Sequence, residues 1–155
     1  MTELSVMVTD NHWAAVADIE TVCATTLQAA ATALPKPVTD SVSILLTNDD
    51  EIADLNKRMR GKSGPTNVLS FPAHASAHGW AGDIALAWGV VSTEAEAAGL
   101  ALEAHLRHLL VHGFLHLHGY DHQNDDEAAL MEDIERKALS ALGVDDPYRD
   151  RDNTA

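Results

Sequence analysis

The chain has 155 residues, 46% of them hydrophobic, and a formal charge of −14 from 24 acids against 10 bases; that is enough for one domain with a real core and too little for two. So acidic a balance argues against general, backbone-led binding of nucleic acid, which needs Lys and Arg along the contact. No window approaches eighteen consecutive apolar residues, so no membrane span is expected, and a single cysteine, Cys23, rules out an internal disulfide.

The opening residues, MTELSVMVTDNHW, show neither the charged and apolar regions of a secretory signal nor the Arg/Ser-rich look of a transit peptide, and a reducing cytoplasm is the expected location. "LSVMV" (4–8) predicts a short strand. From His12 to Leu34 the apolar set Trp13, Val16, Ile19, Cys23, Leu27, Ala30 and Leu34 recurs at spacings of three and four, which predicts one helix ended by Pro35 and Pro37, with Cys23 as a small buried side chain. "SVSILLT" (41–47) is a second strand. "NDDEIADLNKRMR" follows as a helix capped by Asn48 or Asp49, with acids in its first turn, and Gly61, Gly64 and Pro65 force a loop.

"NVLSF", closed by Pro72, predicts a third strand, "HASAHGWAG" a loop and "DIALAW" a fourth strand. "STEAEAAG" has the Thr93 to Glu96 capping-box spacing and predicts a short helix, or the end of one. The next helix runs from about Leu102 to His118 and stops at Gly119. A last helix, about Asp126 to Leu142, turns Leu130, Ile134, Ala138 and Leu142 inward and most of its acids outward, ending at Gly143. The segment "DPYRDRDNTA" looks disordered, so the expected domain is 1–148 with 149–155 as a disordered tail. This order of elements predicts a single α+β domain in which a four-stranded mixed sheet packs against helices; strand order is not readable from it.

Two segments carry chemistry. Four of the ten bases lie in "KRMRGK": Lys57, Arg58, Arg60 and Lys62, the obvious place for an anionic ligand, although cations also suit a helix C-terminus for its own sake. From Asp121 onward, by contrast, eleven acids face four bases. The second segment, "HLLVHGFLHLHGYDHQ" (108–123), holds five of the nine histidines. His112 and His116 lie one helical turn apart on one face, which alone is weak support for a metal site. Gly119 can turn the chain so that His122 folds back as a third ligand, giving the spacing H-x-x-x-H-x-x-G-x-x-H. Three imidazoles without a fourth protein ligand describe a catalytic zinc site rather than a structural one. His105 and His108, further up the helix, read as supporting or packing residues. His118 points away, and His12, His74 and His78 show no partners.

The spacing is that of the metzincin peptidases, except that Gly113 stands where they carry the glutamate used as general base. A glycine inside a helix costs about 1 kcal/mol relative to alanine, so close approach of a substrate or of a neighbouring strand is the expected reason for it. "HGFLHLHGYDH" (112–122) closely resembles the H-G-x-L-H-L-x-G-Y-D-H signature of the YbeY family of bacterial endoribonucleases. The resemblance extends to "LNKRMRGKSGPTNVLSFP" (55–72), "GDIAL" (82–86) and the acidic last helix, with Met59 and Ser63 standing where the family usually has an aromatic residue and an acid.

The resemblance implies one Zn2+ held by His112, His116 and His122, and Arg60 as the functional arginine. Lys57, Arg58 and Lys62 are expected as further substrate contacts. It implies a zinc-dependent, single-strand-specific endoribonuclease that matures the 3′ end of 16S rRNA and acts in late ribosome quality control, with single-stranded RNA as substrate and the ribosome or its proteins as partners. No membrane or DNA partner is expected. A zinc-activated water is favoured as nucleophile over the RNA's own 2′-hydroxyl, without the sequence choosing between them. The competing readings are a zinc peptidase with a relocated base and a non-catalytic ribosome-assembly factor that uses zinc for structure.

Overall fold

A computed structural model describes residues 3–36, 38–73 and 79–148; His74, His78 and the expected tail 149–155 lie outside them. Strands β1 (Leu4–Val8), β2 (Ser41–Thr47), β3 (Val68–Pro72) and β4 (Trp80–Ala87) form one mixed sheet in the order β1-β2-β4-β3. β1 and β4 run parallel to β2, while β3 is antiparallel to β4. Five α-helices complete the described residues: α1 (Ile19–Ala33), α2 (Asp49–Arg60), α3 (Trp88–Ala98), α4 (Leu102–Leu117) and α5 (Asp125–Ala141).

Because side chains alternate along a strand, the two faces of β4 serve two cores. Ile84 and Leu86 join Val42, Ile44 and Leu46 beneath α1 and α4, where Leu106, Leu110, Phe114 and Leu115 are buried. Ala85 and Ala87 join Leu69 and Ile52 of α2 in a smaller cluster. Helix α4 packs against β3, β4, α1 and α5 at once, so the histidine-bearing helix is held from several sides. This burial explains a helix that is apolar around most of its circumference. Cys23 is fully buried in α1, as expected, and burial pushes its thiol up to about 12.

Besides the loop expected over "HASAHGWAG", whose residues Trp80–Gly82 open β4, four expectations need correction. The helix expected over His12–Leu34 is two pieces: a short 3-10 turn, Asn11–Ala15, and α1, separated at Asp18, whose φ of 51° is left-handed. The turn is capped by the Asp10 carboxylate, which accepts from the His12 amide at 2.8 Å, and anchored by Trp13, whose indole N–H donates to the Thr47 carbonyl at 3.0 Å. Spacings of three and four are common to both helix types, so the pattern ran through the break. Secondly, Trp88 belongs to α3 rather than to the fourth strand, because the Asp49 carboxylate of α2 accepts from the Val90 amide at 3.1 Å and caps α3 from 41 residues away.

In α5, Leu130 is 50% exposed and Met131 takes the inward position. The fourth correction concerns Asp146–Tyr148, the beginning of the segment expected to be disordered. Arg136 holds this turn through its Nε, 3.0 Å from Asp146 Oδ2, and its guanidinium lies 5.4 Å from the centroid of the Tyr148 ring. The Tyr148 amide donates to Asp146 Oδ1 at 2.8 Å, closing the turn.

Candidate metal centre and its cavity

Helix α4 ends in a Schellman motif: the Gly119 amide donates to the His116 carbonyl at 3.1 Å and the Tyr120 amide to the Leu115 carbonyl at 3.0 Å, with Gly119 at φ 90°. This left-handed residue reverses the chain and returns His122 towards the helix face that carries His112 and His116. Each of the three offers a ring nitrogen, and these nitrogens lie within 4.8 Å of one another; the Nε2 atoms of His112 and His116 are 3.0 Å apart. Tetrahedral zinc at roughly 2.1 Å from each nitrogen needs ligand separations of about 3.4 Å, inside the observed range. Among the described residues no acid or thiol joins the group, so the donor set fits the catalytic type of zinc site. Burial, reinforced by neighbouring His112, lowers the pKa of His116 and favours the neutral imidazole that a metal requires.

Behind the histidines sits Glu135 of α5, whose side chain is 1% exposed. Its Oε2 lies 2.9 Å from His108 Nε2 and 3.4 Å from His112 Nδ1, and its Oε1 accepts from the Tyr148 hydroxyl at 2.7 Å. Burial pushes this carboxyl upward, but the hydrogen bonds from His108, His112 and Tyr148 outweigh it and hold the pKa at about 2. A carboxylate at His112 Nδ1 fixes the tautomer in which Nδ1 carries the proton and Nε2 presents its lone pair towards His116 and His122.

A cavity of about 610 Å³ opens in front of the three histidines. Arg60, Thr66, Asn67, Ser70, His108 and Tyr148 contribute polar groups to its wall, together with His112, His116 and His122. Arg60 is the last residue of α2, followed by Gly61 as left-handed cap. Arg58 pairs within its own helix, with its Nε 2.9 Å from Asp54 Oδ2 one turn earlier, whereas Arg60 lines the cavity. Lys57, Arg58 and Lys62 are exposed and lie outside the wall.

The other histidines divide cleanly. His105 Nε2 is 3.0 Å from Glu94 Oε1, His118 packs on the Phe114 ring at 4.5 Å, and His12 pairs with Asp10 and stacks on Trp88. His108, expected as a supporting residue, does hold Glu135 but also lines the cavity. Sequence reasoning missed Glu135, Tyr148, Asn67 and Ser70. Glu135 is one acid among several on α5, and nothing local distinguishes it; Tyr148 lies in a segment read as disordered.

The model of the family described as Endoribonuclease YbeY matches residues 4–143. An Endoribonuclease YbeY of Maricaulis maris is 49% identical over 152 residues, covering 98% of this chain and 95% of the relative. One from Rhodopseudomonas palustris is 42% identical, covering 97% and 83%. The solution structure of a Thermotoga maritima protein has the same fold, with a TM-score of 0.58 at 21% identity over 93% of this chain and 97% of that one. With the three histidines, the arginine-lined cavity and the match along nearly its whole length, the chain belongs to the Endoribonuclease YbeY family.

Proposed function

We propose that this protein is a zinc-dependent endoribonuclease specific for single-stranded RNA, acting in maturation of the 3′ end of 16S rRNA and in late ribosome quality control. The observation that carries the reading is the shared wall: Arg60 faces the same cavity as His112, His116 and His122. A zinc ion held by the three imidazoles would supply a Lewis acid for a phosphoryl oxygen and lower the pKa of a bound water towards about 7. Arg60 offers a planar guanidinium to the phosphate oxygens whose charge grows in the transition state. Thr66 and Ser70 offer hydroxyl groups to the substrate, Asn67 is held in the wall by Glu94, which accepts from its amide at 3.0 Å, and Glu135 stays ionised and holds His112 in register.

The same geometry weighs against a peptidase. A Cβ at Gly113 would lie 3.0 Å from Ser70 Oγ and 3.1 Å from Ile84 Cγ2, so the glutamate a metzincin carries there would require both side chains to give way. A non-catalytic zinc role is disfavoured by a three-histidine set that borders a large cavity.

Elemental analysis should find one zinc per chain, lost in His112→Ala, His116→Ala and His122→Ala. Arg60→Ala should keep its zinc and its melting temperature yet cleave single-stranded RNA about 100- to 1000-fold more slowly. Undiminished RNA cleavage by Arg60→Ala overturns the phosphate role; zinc-dependent peptide cleavage without RNA cleavage by the parent protein hands the site to the peptidase reading.

A further inference from the structure

We propose that Tyr148 and Glu135 form a positioning brace for the metal ligand His112, so that the turn Asp146–Tyr148 is a working part of the centre; this rests on the zinc site of the function proposed above. The brace is built from three elements. The Tyr148 hydroxyl donates to Glu135 Oε1 at 2.7 Å, and Glu135 Oε2 faces His112 Nδ1 at 3.4 Å and His108 Nε2 at 2.9 Å. One buried carboxylate therefore takes donors from α4 on one oxygen and from the C-terminal turn on the other. Its oxygens cannot rotate towards either side without breaking a bond on the opposite one. The ring of Tyr148 stands edge-on to His108, with centroids 5.7 Å apart, and the turn is clamped by Arg136 through Asp146.

The consequence is specific to His112. An imidazole in free exchange between tautomers offers Nε2 as a lone pair only part of the time, and a carboxylate at Nδ1 removes that ambiguity. Tyr148 reaches His112 through the carboxylate it donates to. It fixes the rotamer of Glu135, and Glu135 fixes the imidazole. His108 takes the shorter share of Oε2, so without Tyr148 the carboxylate is free to swing towards His108 and leave His112.

The test measures the zinc dissociation constant of the full chain by competition with a chromophoric chelator, beside the melting temperature of the metal-free protein and the 15N shifts of His112. Glu135→Gln should weaken zinc binding about 10- to 100-fold, and His112 should change from the Nδ1-protonated form to a tautomer mixture. Tyr148→Phe, which keeps the ring packing, should weaken binding by a smaller factor with little change in melting temperature. The double variant should bind no more weakly than Glu135→Gln alone, since both act through one carboxylate. Zinc affinity unchanged in both variants overturns the proposal, as do multiplicative losses in the double variant. A lowered melting temperature with unchanged affinity also overturns it, by making the contacts merely structural. Failure of the parent chain to bind zinc overturns the function reading first; normal binding by parent and variants alike overturns only the brace.

Discussion

Gly113 shows how one missing side chain lets two elements approach each other. Its missing Cβ lets α4 lie against Ser70 and Ile84, and that contact keeps His112 and His116 at the cavity edge above β3. Gly113→Glu, which restores the metzincin pattern, should therefore give no peptidase activity and should lower stability by about 1–3 kcal/mol or more from overpacking alone, with a further penalty for a buried carboxylate. Thermal unfolding and a peptide assay check it; a stable variant that cleaves peptides would contradict the steric account. At this scale the histidine cluster was legible in the sequence, because His112, His116 and His122 are brought together by helical spacing and a glycine turn. Glu135 and Tyr148 were not, because they meet α4 across 23 to 40 residues of chain, and no local pattern records which acid of a helix turns inward.

At the scale of elements, the decisive unit is the helix end. Gly119 has nothing within 4 Å of a Cβ placed on it, so Gly119→Ala isolates backbone conformation from packing. The left-handed conformation costs a non-glycine residue about 1–2 kcal/mol, and the metal-free variant should unfold that much more easily, as denaturant titration would show. Zinc affinity should fall as well, since His122 reaches the centre only through this turn; full affinity in Gly119→Ala would mean that residues 120–122 are placed by their own contacts. The strands and α2, α4 and α5 were readable to within a few residues from hydrophobic period and caps. The break at Asp18 and the start of α3 at Trp88 were not, since the first depends on Trp13 reaching the end of β2 and the second on a cap supplied by a distant helix.

For the molecule as a whole, acid stability should report on the buried carboxylate. Glu135 ionises at about 2 in the fold against 4.5 for an unperturbed glutamate. A depressed pKa contributes stability that is present above the unfolded value and lost as pH falls from about 4.5 towards 2, on the order of 3 kcal/mol. The metal-free protein should lose stability across that window, and Glu135→Gln should show a flatter profile there while being less stable near neutrality. A variant with the same acid slope as the parent would place the titration elsewhere. The net charge of −14 does not contradict an anionic substrate once the chain is folded, because Arg60 and the histidines gather at one cavity while the acids of α5 lie mainly on its outer face.

The carboxylate behind His112 sits on α5, the last helix among the described residues, and the hydroxyl that donates to it comes later still. In the order of synthesis, the histidines of α4 emerge before the residues that contact them from α5 and the turn after it. A growing chain that has released His112, His116 and His122 but not α5 lacks the carboxylate at His112 Nδ1, and α1 and α4 still lack the helix that packs against both. The contact at His112 Nδ1 therefore forms only once α5 has been made and has docked on α4, so the histidine helix gains its buried carboxylate neighbour after its own residues are already in place.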